Sequence, residues 1–121
     1  MSKVRYLLDE NVHSLFRTEL LKREPTLVIW RVGSPGAPPI EASDPDILGW
    51  CEENDFILLT NNRKSMPGHL RDHLIAGRHI PGIIELNRNM SIGETIEELL
   101  LIWIASKDDE YRDRIVHLPL N

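Results

Sequence analysis

The chain has one cysteine, Cys51, so no disulfide can form within it, and the framework of a small disulfide-stapled domain is excluded. That composition suits a reducing compartment, and Cys51 reads as core filler beside Ile47. Long apolar runs are also missing. The longest candidate, residues 99–105, falls far short of the roughly 20 apolar residues that a spanning helix needs. The opening Met1-Ser2-Lys3-Val4-Arg5 has no signal-peptide apolar region, so the expectation is a cytoplasmic protein with no membrane role. Positive charge is scarce too: 14 Lys and Arg against 19 Asp and Glu give a net charge of −5. This argues against nucleic-acid affinity driven by bulk charge and confines any phosphate contact to a local patch. There is no internal repeat and no low-complexity linker, and 121 residues suit a single domain spanning 1–121.

What the chain does have is an apolar run that ends in acid. Tyr6-Leu7-Leu8 leads directly into Asp9-Glu10-Asn11. Residues 4–8 have the length and bulk of a buried strand, and apolar residues at Val12, Leu15, Phe16 and Leu20 then follow helical spacing. An open parallel sheet places its sites beyond the carboxyl ends of its strands, where Asp9 and Glu10 would stand. The competing reading is that Asp9 or Asn11 only caps the following helix.

The rest of the chain alternates in the same way. Helix one is expected over residues 12–23, ending before Pro25, and strand two over 27–32. The Gly- and Pro-rich residues 33–39 make a loop, either a flap over the site or a stiff surface connection. Ser43-Asp44-Pro45-Asp46 starts helix two, with Asp44 as cap and Pro45 in the first turn, and the helix runs to about Glu53. Six acidic residues and no basic one lie between Glu41 and Asp55, which reads either as a solvated acidic face or as part of a metal site. Strand three covers 56–60, and a helix from Met66 closes at Gly77. Strand four covers 82–86. Ser91 and Glu94 match a capping box for a long helix carrying Ile96, Leu99, Leu100 and Trp103, and residues 114–118 add an edge strand. This alternation predicts a three-layer α/β domain, a mostly parallel sheet flanked by helices on both faces.

Three polar clusters, Asp9-Glu10, Asp44-Asp46 and Thr60-Asn61-Asn62, adjoin elements that a parallel sheet gathers at one edge. Crowded carboxylates repel and take up protons unless a cation offsets them, and oxygen-rich acidic sites suit magnesium or manganese. Arg63, Lys64, Arg71 and Arg78, with His69, His73 and His79, form a locally basic region opposed by Asp72, which is either a solvated helix face or a contact for RNA phosphates. His69 and His73 have the spacing of two metal ligands on one helix, but no HExxH glutamate or third ligand accompanies them. Trp103 and Ile104 face either the core or a second subunit.

At Leu7 to Asn11, at the Ser-Asp-Pro-Asp-Ile-Leu start of helix two and at Leu58-Leu59-Thr60-Asn61-Asn62, the chain resembles the PIN-like domains, in their small branch related to the toxins of bacterial toxin-antitoxin pairs. The resemblance implies a ribonuclease that uses Mg2+ or Mn2+, with RNA and an antitoxin protein as partners and a homodimer as a further possibility. By position Asp9 matches the first acid of the family's quartet. Asp46 best matches the acid from helix two, with Asp44 a close rival, and Glu10 is an additional candidate ligand. The catalytic set so implied is Asp9, Asp46 and Asn62, with Arg63, Lys64 and Arg71 toward RNA. The chain departs from the family in its third cluster, where Thr-Asn-Asp and a further Asp two positions on are replaced by Asn62 and Lys64. Asparagine offers a carbonyl without charge and lysine opposes a cation. Asn62 is then either a weak ligand or the mark of a domain that binds RNA or a protein without cutting. A receiver-like doubly wound module is the competing fold.

Overall fold

The computed structural model describes residues 4–120; Met1, Ser2 and Lys3 of the opening segment lie outside them. Nine elements alternate: β1 (Tyr6–Leu8), α1 (Leu15–Arg23), β2 (Ile29–Arg31), α2 (Asp44–Asn54), β3 (Ile57–Thr60), α3 (Met66–Ile75), β4 (Ile83–Glu85), α4 (Ile92–Ala105) and β5 (Ile115–His117). The strands form one five-stranded sheet in the order β2-β1-β3-β4-β5. Every pairing is parallel, so the sheet is wholly rather than mostly parallel.

Because successive strand residues point to opposite faces, each short apolar run feeds two cores. Tyr6, Leu8, Ile57, Leu59 and Ile84 pack with Leu20 of α1 and with Ile96, Leu99 and Ile102 of α4. Leu7, Leu58 and Ile83 pack on the other side with Ile47, Leu48 and Cys51 of α2 and Met66 and Leu70 of α3. Helices α1 and α4 therefore cover one face and α2 and α3 the other, giving the three-layer α/β architecture. Tyr6 reinforces the first face by donating its hydroxyl to the Leu99 carbonyl at 2.7 Å. Cys51 is buried beside Ile47, as its composition suggested.

The helix ends follow local chemistry, with shifts from the sequence expectation. Helix α1 begins at Leu15 rather than residue 12, because Asp9 to Val12 form a turn closed by Val12 N–H donating to the Asp9 carbonyl at 3.0 Å. Val12 still enters the core, which is why its apolar character looked helical. Helix α2 is capped by Ser43, whose hydroxyl accepts from Asp46 N–H at 3.2 Å, so Asp44 is freed from the capping expected of it. Helix α3 ends at Ile75, and Gly77 takes the left-handed φ of 80° that terminates the turn. Gly82 is needed just before β4: a Cβ there would sit 2.8 Å from the Tyr111 Cβ. No described helix is long and apolar enough to cross a membrane.

The capping box at α4 is present in both directions, Glu94 N–H to the Ser91 hydroxyl at 3.1 Å and Ser91 N–H to the Glu94 carboxylate at 2.9 Å. Trp103 packs against the core, while Leu101 and Ile104 face outward at 57% and 69% exposure. Replacing Ser91 with Ala removes one partner of this box and is expected to cost about 1 kcal/mol; denaturant unfolding checks it, and an unchanged midpoint would show that α4 does not depend on its cap.

Candidate functional site

Parallel register carries the site. Leu8 is level with Leu59, Leu59 with Ile84 and Ile84 with Val116, an apolar row across the sheet. One step toward the carboxyl ends the row turns polar: Asp9 follows Leu8, Thr60 is level with Glu85 and Glu85 with His117. Asp9 and Thr60 stand where β1 and β3 part company, the point at which chain connections leave toward opposite faces and where doubly wound sheets bind ligands.

Asp9 is 5% exposed. Its Oδ2 accepts from the Thr60 hydroxyl at 2.9 Å and its Oδ1 from Glu10 N–H at 2.9 Å; Asp9 N–H in turn donates to the Leu59 carbonyl. The aspartate is thus a fixed element of the sheet edge and not a cap of α1, whose first residue lies six positions on. Burial pushes its pKa up, the bonds from Thr60 and Glu10 pull it down, and the charges of Asp44 and Glu10 add to the rise; the net direction is upward. Burial, with the charge of Asp9 behind it, also raises the Cys51 thiol well beyond its ordinary range.

Asp44 is the second carboxylate of the cluster. Its Oδ2 accepts from Asn62 Nδ2 at 3.0 Å and lies 3.4 Å from His69 Nε2. Asn62 is held in turn: its N–H donates to Thr60 Oγ1, and its Oδ1 accepts from Ser65 N–H and Ser65 Oγ. Thr60 and Asn62 therefore join the two aspartates. Asp46, the better positional match to the family's helix-two acid, is exposed and its carboxylate makes none of these bonds. Glu10 is also turned elsewhere, its Oε1 accepting from Glu41 N–H at 3.0 Å. That bond, with Gly33 N–H to the Pro38 carbonyl and Trp50 Nε1 to the Gly36 carbonyl at 3.1 Å, pins the loop after β2, in keeping with a stiff connection.

The basic residues divide. Arg63 and Lys64 line a cleft together with Asn61, Asn62, Leu86, Asn87, Arg88 and Asn89. Arg71 instead lines an apolar groove with Pro67, Leu70, Leu74, Ile75 and Ile115 and pairs with Asp72 at 3.8 Å. His69 and His73 do not share a ligand: His69 faces Asp44, while buried His73 bonds Glu52 Oε1 at 3.0 Å and the His79 carbonyl at 3.1 Å. Arg78 also pairs with Glu52, at 2.9 Å, so one acid of the expected acidic face and part of the basic region are spent tying α2 to the α3–β4 connection. Sequence reasoning missed Glu85, which is 1% exposed, pairs with His117 at 3.1 Å and lies 3.9 Å from Arg63 Nε. The available signal was the one used for Asp9, an acid at the end of an apolar run.

Among the described residues no three or more His, Cys, Asp or Glu side chains form a group able to hold a metal ion. The donor set does fit the smaller demand of magnesium or manganese, which keep several waters and are held by one or two carboxylates plus substrate phosphates. Asp9 and Asp44 are the two carboxylates that would hold such an ion, and each Asp9 oxygen retains acceptor capacity beyond its one hydrogen bond. Compared with profiles of known families, with curated proteins and with solved structures, the chain matches none.

The upward shift of Asp9 has a signed consequence. A carboxyl group whose folded pKa exceeds its unfolded value contributes stability below the unfolded pKa and loses it as pH rises through the folded pKa. Thermal unfolding of Asp9→Asn against the parent should therefore shift in favour of the variant between pH 4 and pH 7; a difference that stays flat over that range would contradict the burial argument.

Proposed function

We propose that this chain is a PIN-like domain that acts on RNA phosphodiesters with a divalent cation, Mg2+ or Mn2+, held by Asp9 and Asp44. The supporting observation is a buried carboxylate at the strand-divergence point that feels the charge of Asp44, with no cationic side chain among the described residues hydrogen-bonded to either oxygen of Asp9. Such a cation supplies an activated water and offsets charge on the phosphodiester under attack. Thr60 fixes the Asp9 carboxylate, and Asn62, through Ser65, fixes Asp44. Arg63 and Lys64 provide phosphate contacts beside the pair. In this reading the protein works in the cytoplasm as the toxin of a two-gene module, checked by a small antitoxin protein, and the outward Leu101 and Ile104 of α4 are where a homodimer contact is expected.

A second reading rests on Asn62. Its amide nitrogen, not an anionic oxygen, is turned to Asp44, and Lys64 adds positive charge nearby, so the domain would bind RNA or a protein without cutting. A cleavage assay on a single-stranded RNA separates the two. The first predicts Mg2+- or Mn2+-dependent cleavage that Asp9→Asn and Asp44→Asn each reduce by more than tenfold, about 1.4 kcal/mol of transition-state stabilisation, with Asp46→Asn close to the parent. Equal binding with and without the cation, and no cleavage, supports the second.

The family pattern can also be restored. Asn62→Asp with Lys64→Asp adds two anions and removes one cation beside Asp44, so the double variant should bind magnesium more tightly in calorimetric titration while losing stability in the cation-free state. Affinity no higher than the parent's would place the cation elsewhere.

A further inference from the structure

The cleft between the loops that follow β3 and β4 has a volume of about 690 Å3 and is lined by Asn61, Asn62, Arg63, Lys64, Leu86, Asn87, Arg88 and Asn89, within the roughly 300–1,000 Å3 range of ligand sites. In a chain of net charge −5 this concentration of cations is a local reversal of sign. Neither Lys64 nor Arg88 makes an ion pair with a described residue, and both are exposed. Among the described residues the Arg63 side chain is engaged only through Nε, at 3.9 Å from Glu85 Oε2, which leaves its two Nη nitrogens for the forked contact that guanidinium makes with phosphate. Beneath it, Glu85 Oε2 is buried and accepts no hydrogen bond, while Oε1 is held by His117. The side-chain amides of Asn61, Asn62 and Asn87 already donate within the chain, which leaves Asn89 as the amide at the cleft to meet ribose hydroxyls or base edges with both donor and acceptor. Asn62 joins this cleft to the aspartate pair, since its Nδ2 donates to Asp44.

We propose that this cleft is a backbone-binding subsite for single-stranded RNA, in which Arg63, Lys64 and Arg88 contact phosphates and buried Glu85 is a positioning residue that turns the Arg63 fork outward. The proposal rests on the RNA reading of the neighbouring aspartates but not on their cleaving anything. It assigns Arg88, which the sequence motifs did not single out, and it removes Arg71 from the RNA-contacting set. The strand would run past the ends of β3 and β4, placing one phosphate beside Asp9 and Asp44 and the next over Arg63 and Arg88.

The test is fluorescence anisotropy of a labelled oligouridine with the full chain in EDTA, titrated over salt. Each lost phosphate contact lowers the slope of log affinity against log salt by about 0.7 for a single strand. Arg88→Ala and Lys64→Ala should each show that loss with unchanged melting temperature, and Arg71→Ala should not. Arg88→Ala with the parent's slope overturns the subsite. Charge alone predicts that Glu85→Gln strengthens binding by removing a nearby anion, whereas positioning predicts weaker binding with a slope matching Arg63→Ala; stronger binding overturns the role given to Glu85. An oligodeoxyuridine bound as tightly as the RNA overturns the RNA assignment. Cation-dependent cleavage that survives in Arg88→Ala at the parent's rate and slope overturns the subsite but leaves the aspartate pair standing. The expected slope changes without cleavage in any cation would leave the subsite standing and remove the nuclease reading.

Discussion

The hydrogen bond from Thr60 to Asp9 joins the central strand β3 to its neighbour β1 at their carboxyl ends, and the candidate site is built out from it. Its geometry follows from register: Leu8 beside Leu59 places the next residues, Asp9 and Thr60, within reach of each other. A slip of one residue would turn each strand's apolar side chains to the opposite core and dissolve the polar row. The two cores thus hold the register, and the register holds the site. Thr60 then serves twice, donating to Asp9 and accepting from Asn62 N–H, so the loop that carries Asn62 starts from a fixed point.

The electrostatics of the arrangement are a cost to the fold. Asp9 is withdrawn from water with two hydrogen bonds, neither from a charged donor, and Asp44 raises its pKa further. Stability alone would favour an apolar residue or a paired cation at this position. A buried carboxylate with no charged partner among the described residues marks a candidate for function rather than for stability. The same residues explain why a cation would be held loosely: Asn62 supplies an amide where a third anion would tighten the set, and Glu10 is committed to the loop end at Glu41.

Much of the fold could be read from the chain because each strand is a short apolar run with an amphipathic segment behind it, and the Ser91-Glu94 box and Gly77 closure are local signals that the structure repeats. Strand order was not readable, since the runs at Ile57 to Thr60 and Ile83 to Glu85 are alike in composition and only tertiary packing ranks them. The start of α1 was misplaced because Val12 is buried from a turn rather than from a helix. Asp44 and Asp46 could not be separated by spacing; what separates them is Ser43, which takes the cap and leaves the Asp44 carboxylate to Asn62. Glu85 carried the same signal as Asp9 but was followed by the apolar Leu86, which made it read as strand interior, and Arg71 sits on the α3 face that carries Leu70 and Leu74.

The central claim is that Asp9 and Asp44 together take up a divalent cation, and Mn2+ titration followed by paramagnetic broadening of backbone amide signals tests it directly. At substoichiometric Mn2+ the account predicts that the amides of Asp9, Glu10, Asp44 and residues 60–62 broaden first, and that this selectivity disappears in Asp9→Asn. Broadening that begins instead at the acidic residues 108–110, or that is unchanged by Asp9→Asn, would contradict it.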